Sequence, residues 1–314
     1  MTHTLVTGGA GFIGSHLVEA LLESGDAVTV FDNFDPYYDP SIKRATAASL
    51  VAKGAVLHEG DLRDVSIVEE ALQGVDRVVH LAARPGVRAS IRDPHTTISI
   101  NVTGTTNLLE AMHQAEIRRL VFASSSSVYG GDSKAPFRED APASHPLSPY
   151  AASKRAGEHF CASYSELFGF SITALRFFTV YGPRGRPDML IGKFVAHALR
   201  GEPVPLYGDG SVVRDLTYVS DIVAGIRAAL DDPADGFEVV NLGGGRTITI
   251  LELIKKIELA LGTELVLERH PAAAGDMPLT SADLTRATAR LGFKSLVDVD
   301  EGLRRTVAWA REAL

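Results

Sequence analysis

The sequence predicts an α/β protein: a doubly wound parallel sheet carrying most of the chain, followed by a smaller C-terminal α/β lobe. Three observations predict it. Short apolar runs alternate with helical patterns from the first residues, a glycine-rich turn joins the first run to the first helix, and proline and glycine crowd between Phe177 and Met189, where the organisation changes. With 314 residues, 45% of them hydrophobic, the chain can bury a sizeable core in one large unit or two lobes. We place the first domain at 1–180, with about 216–245 returning to it, and the second at 181–314.

The first strand, His3 to Thr7, runs directly into Gly8-Gly9-Ala10-Gly11-Phe12-Ile13-Gly14 and then a helical pattern from Ser15 to Glu23. In that context Gly8 allows a tight turn, Gly11 lets backbone approach a pyrophosphate, and Gly14 lets helix pack closely on strand. The helix N-terminus then offers amide donors to phosphate. The second strand, Ala27 to Phe31, ends in Asp32, about twenty residues beyond the glycines, where a carboxylate accepts adenosine ribose hydroxyls. This is a Rossmann-type dinucleotide site, and Asp32 favours NAD over NADP. We expect Asn33 to Lys43 to form a polar loop wrapping the adenosine. A third strand, Ala55 to Glu59, leads to Gly60-Asp61-Leu62, where Asp61 is placed to accept from the adenine amino group. The strand Arg77 to Leu81 ends in Ala82-Ala83-Arg84-Pro85-Gly86-Val87-Arg88, so Leu81, Ala82 and Ala83 can lie against the cofactor. A helix from Asn101 to Ala115 and a strand from Leu120 to Ala123 deliver Ser124-Ser125-Ser126-Ser127-Val128-Tyr129-Gly130. A serine run is usually a solvated loop, but this one follows the C-terminal end of a parallel strand, where open α/β sheets bind ligands.

Next comes Ser148-Pro149-Tyr150-Ala151-Ala152-Ser153-Lys154, at a helix start. Residues four apart share a helix face, so Tyr150 and Lys154 can point into one pocket. A phenol with pKa near 10 is only about 0.1% ionised at neutral pH, so using it as a base costs roughly 4 kcal/mol unless the site lowers that pKa. A fixed cation and an oxidised nicotinamide both favour the phenolate. Beyond a strand from Ser171 to Arg176, we expect the second lobe to hold the helix Leu190 to Arg200, the segment Val204 to Asp215, a helix from Ile250 to Leu261, a strand from Leu265 to Glu268, the loop before Gly275-Asp276 and a closing helix to Ala313. The helix Val219 to Leu230 precedes a strand, Phe237 to Leu242, that returns to the main sheet.

Composition narrows the partners. A net charge of −8 with scattered basic residues argues against nucleic acid or an anionic membrane. A charged small molecule must then be met by a few placed arginines. Cys161 is the only cysteine, so an intrachain disulfide and a cysteine-based metal site are impossible, which fits a reducing cytoplasm. No apolar run reaches the roughly 18 residues of a membrane span, and the N-terminus enters a strand at once. We expect a cytoplasmic protein.

Taken together, GGAGFIG, SSSSVYG, SPYAASK and LRFFTVYGPRGRPDM resemble the extended short-chain dehydrogenase/reductase family, in particular its nucleotide-sugar 4-epimerases, over essentially the whole length. NFDPYYDPSIKR and RFFTVYGPRGRPDM look most like the branch acting on UDP-glucuronate. The resemblance implies NAD held by the first lobe, with Asn101 and Phe177 among its contacts, and a UDP-sugar held by the second. It also implies a homodimer built on the Asn101 and Tyr150 helices. Tyr150 would act as base, Ser125 would relay the proton or hold the oxygen, and Lys154 would hold the nicotinamide ribose and lower the tyrosine pKa. Similar dehydratases and decarboxylases carry Asp or Glu where this chain has Ser126 and Ser127, so the loop reads as binding and orienting.

A glucuronate substrate passes through a β-keto acid that can lose carbon dioxide. Arg186 is the candidate to grip its carboxylate bidentately, with Ser126, Ser127 and Thr179 adding hydroxyl donors. The resemblance points to Lys193, Leu206, Tyr207 and Arg214 for the UDP part, with Arg214 at the pyrophosphate and Arg88 reaching either a phosphate or the sugar acid. The alternatives are a UDP-glucose/UDP-galactose 4-epimerase, a decarboxylase or dehydratase, and a non-catalytic NAD-binding protein.

Overall fold

The computed structural model describes residues 1–131, 133–271 and 277–313. Its strands are β1 (His3–Thr7), β2 (Ala27–Asp32), β3 (Val56–Glu59), β4 (Arg77–His80), β5 (Arg119–Ser125), β6 (Ser171–Phe177), β7 (Thr179–Tyr181), β8 (Val204–Tyr207), β9 (Val213–Tyr218), β10 (Phe237–Leu242), β11 (Thr247–Thr249) and β12 (Leu267–His270). Seven of them form a parallel sheet in the order β10-β6-β5-β4-β1-β2-β3. Parallel strands are joined through crossovers that cover both faces, so the central ones read as unbroken apolar runs. Val78 and Val79 on β4 are fully buried accordingly.

The strand order reverses between β1 and β4, and a crevice opens there at the carboxyl ends of the strands. Helix α1 (Phe12–Glu23) starts at this point. The turn before it requires glycine twice. Gly8 has φ +69°, and a Cβ on Gly14 would stand 2.2 Å from the Gly8 carbonyl oxygen. A second, smaller sheet, β11-β9-β7, reaches the crevice through Thr179 and Val180 on β7, and β12 pairs with β8.

Several elements differ from the sequence expectation. The polar stretch ends earlier than Lys43, because α2 (Pro40–Ala52) starts inside it: Asp39 caps the helix by accepting from the Ser41 amide, and Pro40 takes the first position. Short helices α3 (Val65–Ala71), α4 (Val87–Arg92) and α5 (Pro94–Ile98) occupy segments that carry too few turns to show a period. The Asn101 helix begins with a π-helical turn, Ser99–Thr103, before α6 (Gly104–Gln114). Part of the serine run, Ser126–Tyr129, is a 3₁₀ turn.

Helix α7 (Pro149–Phe168) carries the Tyr/Lys pair, with Ser148 capping its start, Pro149 at its first position and Gly169 closing it at φ +68°. Then follow α8 (Leu190–Leu199), α9 (Val219–Asp231), α10 (Ile250–Leu261), α11 (Thr285–Leu291) and α12 (Val299–Ala313). The strand expected at Leu265 to Glu268 begins two residues later, because β12 pairs with β8 from Leu267. The loop at Gly275-Asp276 lies outside the described residues.

Candidate active site

The crevice is a cavity of about 440 Å³, the size of a small-molecule site. It is lined by Gly8, Gly11, Phe12, Ile13, Gly14, Asp32, Asn33, Lys43, Asp61, Leu62, Leu81, Ala82, Ala83, Ser125, Ser126, Ser127, Tyr150, Lys154, Phe177, Thr179 and Arg186. Sequence reasoning missed Tyr37, Tyr38, Arg84 and Met189, which also line it. Two tyrosines inside a polar, proline-rich stretch were the available signal for the first two.

At the dinucleotide end, the α1 N-terminus has Gly11 as its cap residue and no side chain closing its amides. An open helix N-terminus fits a pyrophosphate. Asp32 is 5% exposed; its Oδ1 accepts from the Phe34 amide at 2.9 Å and from Lys43 Nζ at 3.3 Å, while the buried Oδ2 has no partner. A buried acceptor without a donor is costly, and a ribose hydroxyl supplies the donor. These residues therefore fit the adenosine half of NAD.

Asp61 lines the cavity as expected and is held in place by its neighbours. Its Oδ1 accepts from the Arg63 amide and Nε, and its Oδ2 from Asn33 Nδ2 and Arg63 Nη2, so all four lone-pair positions are taken. The Arg63 guanidinium holds this carboxyl far below the usual range. Asn101 is displaced from its expected role. It lies under the cavity wall: Oδ1 accepts from the Arg84 amide at 2.7 Å, and Nδ2 donates to the Arg84 carbonyl and to Ser153 Oγ. It shapes the wall that others line.

The reacting end gathers β5, α7 and the 177–189 stretch. Ser125 Oγ accepts from the Ser127 amide at 3.2 Å and from the Ser127 hydroxyl at 2.9 Å. Its own O–H is thereby left over, and Ser125 lines the same cavity as Tyr150, whose ionised form it favours. Ser127, which the sequence assigned to a substrate carboxylate, lines the cavity with its hydroxyl donated to Ser125. Ser124 donates to Glu158 at 2.6 Å, and Glu158 is gripped at two points by the buried Arg176, both at 2.8 Å. A buried ion pair thus anchors the strand end that presents the serines.

Burial pushes the Tyr150 phenol above its usual pKa, against the pull of the Ser125 hydroxyl and the Arg186 guanidinium. Lys154, expected to lower that pKa, lines the same cavity. It is 4% exposed and donates to the Ala123 carbonyl at 2.7 Å, and Arg186 is a cation that favours the phenolate. Burial brings the Lys154 ammonium down to about 8, partly opposed by Glu158.

Arg186 sits in the cavity wall near Tyr150 with its Nε/Nη2 edge engaged by Asp188, at 2.9 and 3.1 Å. Among the described residues no acceptor meets Nη1, so the Nη1/Nη2 edge is the one able to take a second carboxylate. Its neighbour Arg184, at φ +59°, reaches back to His16 Nδ1 and Glu19 on α1.

Arg88, Lys193, Leu206, Tyr207 and Arg214 do not line the cavity. Leu206 is 1% exposed and belongs to the core beneath β8. The Arg88 guanidinium lies 4.2 Å over the Tyr207 ring, which stacks on His270 at 5.1 Å. Arg214 Nη1 donates to the Val213 and Met277 carbonyls, tying β9 to the segment after the undescribed residues. Lys193 is half-buried on α8.

Three comparisons with known proteins bear on this geometry. Residues 4–243 match the model of the NAD dependent epimerase/dehydratase family. The UDP-glucuronate 4-epimerase of Thermodesulfobacterium geofontis is 39% identical over 316 residues, spanning 99% of this chain and 97% of that one. Among solved structures, the UDP-glucuronic acid 4-epimerase of Bacillus cereus, in complex with UDP-glucuronic acid and NAD, superposes with a TM-score of 0.94 at 35% identity over 100% of both chains. A UDP-glucose 4-epimerase of Thermotoga maritima, solved with UDP-glucose, gives 0.92 at 33% identity over 99% of both.

Proposed function

This chain belongs to the NAD dependent epimerase/dehydratase family, and on that premise we propose that it interconverts UDP-glucuronate and UDP-galacturonate by inverting C4 through a transient 4-keto sugar. Gly8, Gly11, Gly14 and Asp32 would hold NAD, which when bound supplies a reversible hydride acceptor. The division into an NAD lobe and a sugar lobe is part of the same proposal.

In this reading Tyr150 takes the C4 hydroxyl proton and later returns it on the opposite face. Ser125 donates to the phenolate as it forms, which stabilises the charged base. Lys154 fixes the end of β5 through Ala123 and contributes positive charge to the buried site. Neither Ser126 nor Ser127 titrates near neutral pH, so the serine loop lacks the acid and base that elimination of water requires.

The observation that carries the glucuronate reading is Arg186: a guanidinium in the cavity wall, near the proposed base, with one edge open. An Arg fork binds carboxylate at two points. Holding the carboxylate out of alignment with the C4 carbonyl π system suppresses loss of carbon dioxide. Thr179 adds a hydroxyl in the same wall. A second reading, turnover of neutral UDP-glucose, has one observation in its favour: Asp188 already balances the charge of Arg186.

The deciding experiment incubates the purified protein with UDP-glucuronate, without added NAD, and analyses the products. UDP-galacturonate is expected; turnover of UDP-glucose alone would remove the carboxylate argument, and UDP-pentose would show decarboxylation.

We further propose that two copies pair through α6 and α7. Supporting this, α7 leaves Phe160 (37%), Leu167 (70%) and Phe168 (37%) exposed. A monomer mass at all concentrations in sedimentation equilibrium would exclude it. No helix among the described residues is long and apolar enough to cross a membrane. We place the protein in the cytoplasm, a proposal supported by its single, buried, unpaired Cys161 and open to test by cell fractionation.

A further inference from the structure

We propose that Asp188, held by Tyr37, is the positioning residue that sets the acid-sugar specificity of this site by fixing which edge of Arg186 faces the sugar. The inference rests on the glucuronate reading and extends it to a residue outside the cavity lining.

Arginine presents two edges to a carboxylate: the side-on pair Nε/Nη2 and the end-on pair Nη1/Nη2. Asp188 occupies the first, with Oδ1 on Nε at 2.9 Å and Oδ2 on Nη2 at 3.1 Å. A side-on pair locks the rotation of the guanidinium about its last bonds, and its remaining fork then points one way only. Arg186 lines the same cavity as Ser125, Tyr150 and Thr179, so the fork that Asp188 leaves over is the one available to a sugar held there.

Asp188 is itself held from the other side of the crevice. Tyr37 donates its hydroxyl to Asp188 Oδ2 at 3.0 Å. Two guanidiniums lie over the Tyr37 ring, Arg84 at 4.8 Å and Arg186 at 5.9 Å from its centroid. Its backbone amide is fixed by Asp35 Oδ1 at 2.9 Å, and the same oxygen accepts from Arg84 Nη1 at 2.6 Å. The stretch after β2 is thereby joined to the stretch carrying Arg186 through one carboxylate.

An alternative role for Asp188 is that of a competitor, sitting where the sugar acid would sit. Geometry separates the two. A competitor would occupy the end-on fork; Asp188 takes the side-on edge and leaves Nη1 open.

The test measures binding of UDP-glucuronate and UDP-glucose by calorimetry to NAD-loaded protein in a Tyr150→Phe background, which blocks turnover, with and without Asp188→Asn or Tyr37→Phe. Asp188→Asn is expected to weaken UDP-glucuronate about tenfold and UDP-glucose less than about twofold, the size of one lost oriented ion pair. Tyr37→Phe should move the ratio the same way by less. Equal loss on both ligands would assign Asp188 a general structural role, and tighter UDP-glucuronate binding would make it a competitor; either overturns the proposal. The background protein separates the two levels: if it already binds UDP-glucuronate no better than UDP-glucose, the function reading fails, whereas a normal preference unmoved by Asp188→Asn sinks only the role of Asp188.

Discussion

The proposed mechanism asks Tyr150 to be a base in a place where burial alone makes it a poor one. Its phenol is pushed up by desolvation, and what opposes this is one hydroxyl whose proton is aimed and one guanidinium whose position is fixed. The helix-face argument finds the pair Tyr150 and Lys154, because periodicity is local and 3.6 residues per turn is enough to place them. It could not find that the Arg186 guanidinium also favours the phenolate, since that depends on how the Gly182–Met189 stretch returns to the cavity. Tyr150→Phe should lower kcat by roughly 10²- to 10⁴-fold, the range for removal of a positioned acid–base group, while bound NAD is retained. Steady-state assay with cofactor quantitation checks this; an unchanged kcat would mean the proton is taken elsewhere.

At the scale of elements, what could be read in advance was whatever is encoded over a few neighbouring residues. The Gly8 to Gly14 turn shows because each glycine answers a local steric demand, and the start of α7 shows because Ser148-Pro149 is a cap followed by a first-turn proline. The same cap chemistry stands at Asp39-Pro40, where the density of prolines in the sequence masks it. The side-chain placements around Arg88, Tyr207 and Arg214 were not legible, because they depend on β8, β9 and β12 meeting across long sequence separations. The buried Glu158–Arg176 pair was invisible for the same reason, joining α7 to β6. The steric reading of the turn makes a direct prediction. Gly14→Ala would set a methyl 2.2 Å from the Gly8 carbonyl oxygen, so α1 must shift, at a cost of about 2 kcal/mol. A lower Tm together with loss of copurified NAD is expected; a variant with parental Tm and full NAD content would show that the close approach is not needed.

For the molecule as a whole, the sheet and its helix layer are joined at His80, which is 1% exposed. Thr105 Oγ1 donates to the Asn101 carbonyl and so accepts from His80 Nε2 at 2.9 Å, while Thr7 Oγ1 accepts from the Ala82 amide and so donates to His80 Nδ1 at 2.7 Å. This network suits only the neutral ring, protonated at Nε2. Burial brings the His80 pKa down to about 3, and burial together with the neighbouring Arg184 brings His16 down to about 4. A histidine with a lowered folded-state pKa binds fewer protons folded than unfolded. Its contribution is therefore complete above about pH 6.5 and is lost as pH falls from there toward 3, reaching roughly 2 to 3 kcal/mol of lost stability at pH 4.5. His80→Gln keeps one donor and one acceptor without a titrating ring. Urea unfolding at pH 7 and pH 4.5 should show a smaller acid loss in the variant than in the parent, and equal losses would contradict the buried neutral ring.

These scales meet in one reaction, in which the hydrogen leaves C4 and comes back to the same carbon of the same sugar. UDP-glucuronate carrying deuterium at C4, incubated with the purified protein in ordinary water, tests this most directly. The account predicts UDP-galacturonate with the deuterium still at C4; unlabelled UDP-galacturonate, or none at all, would contradict it.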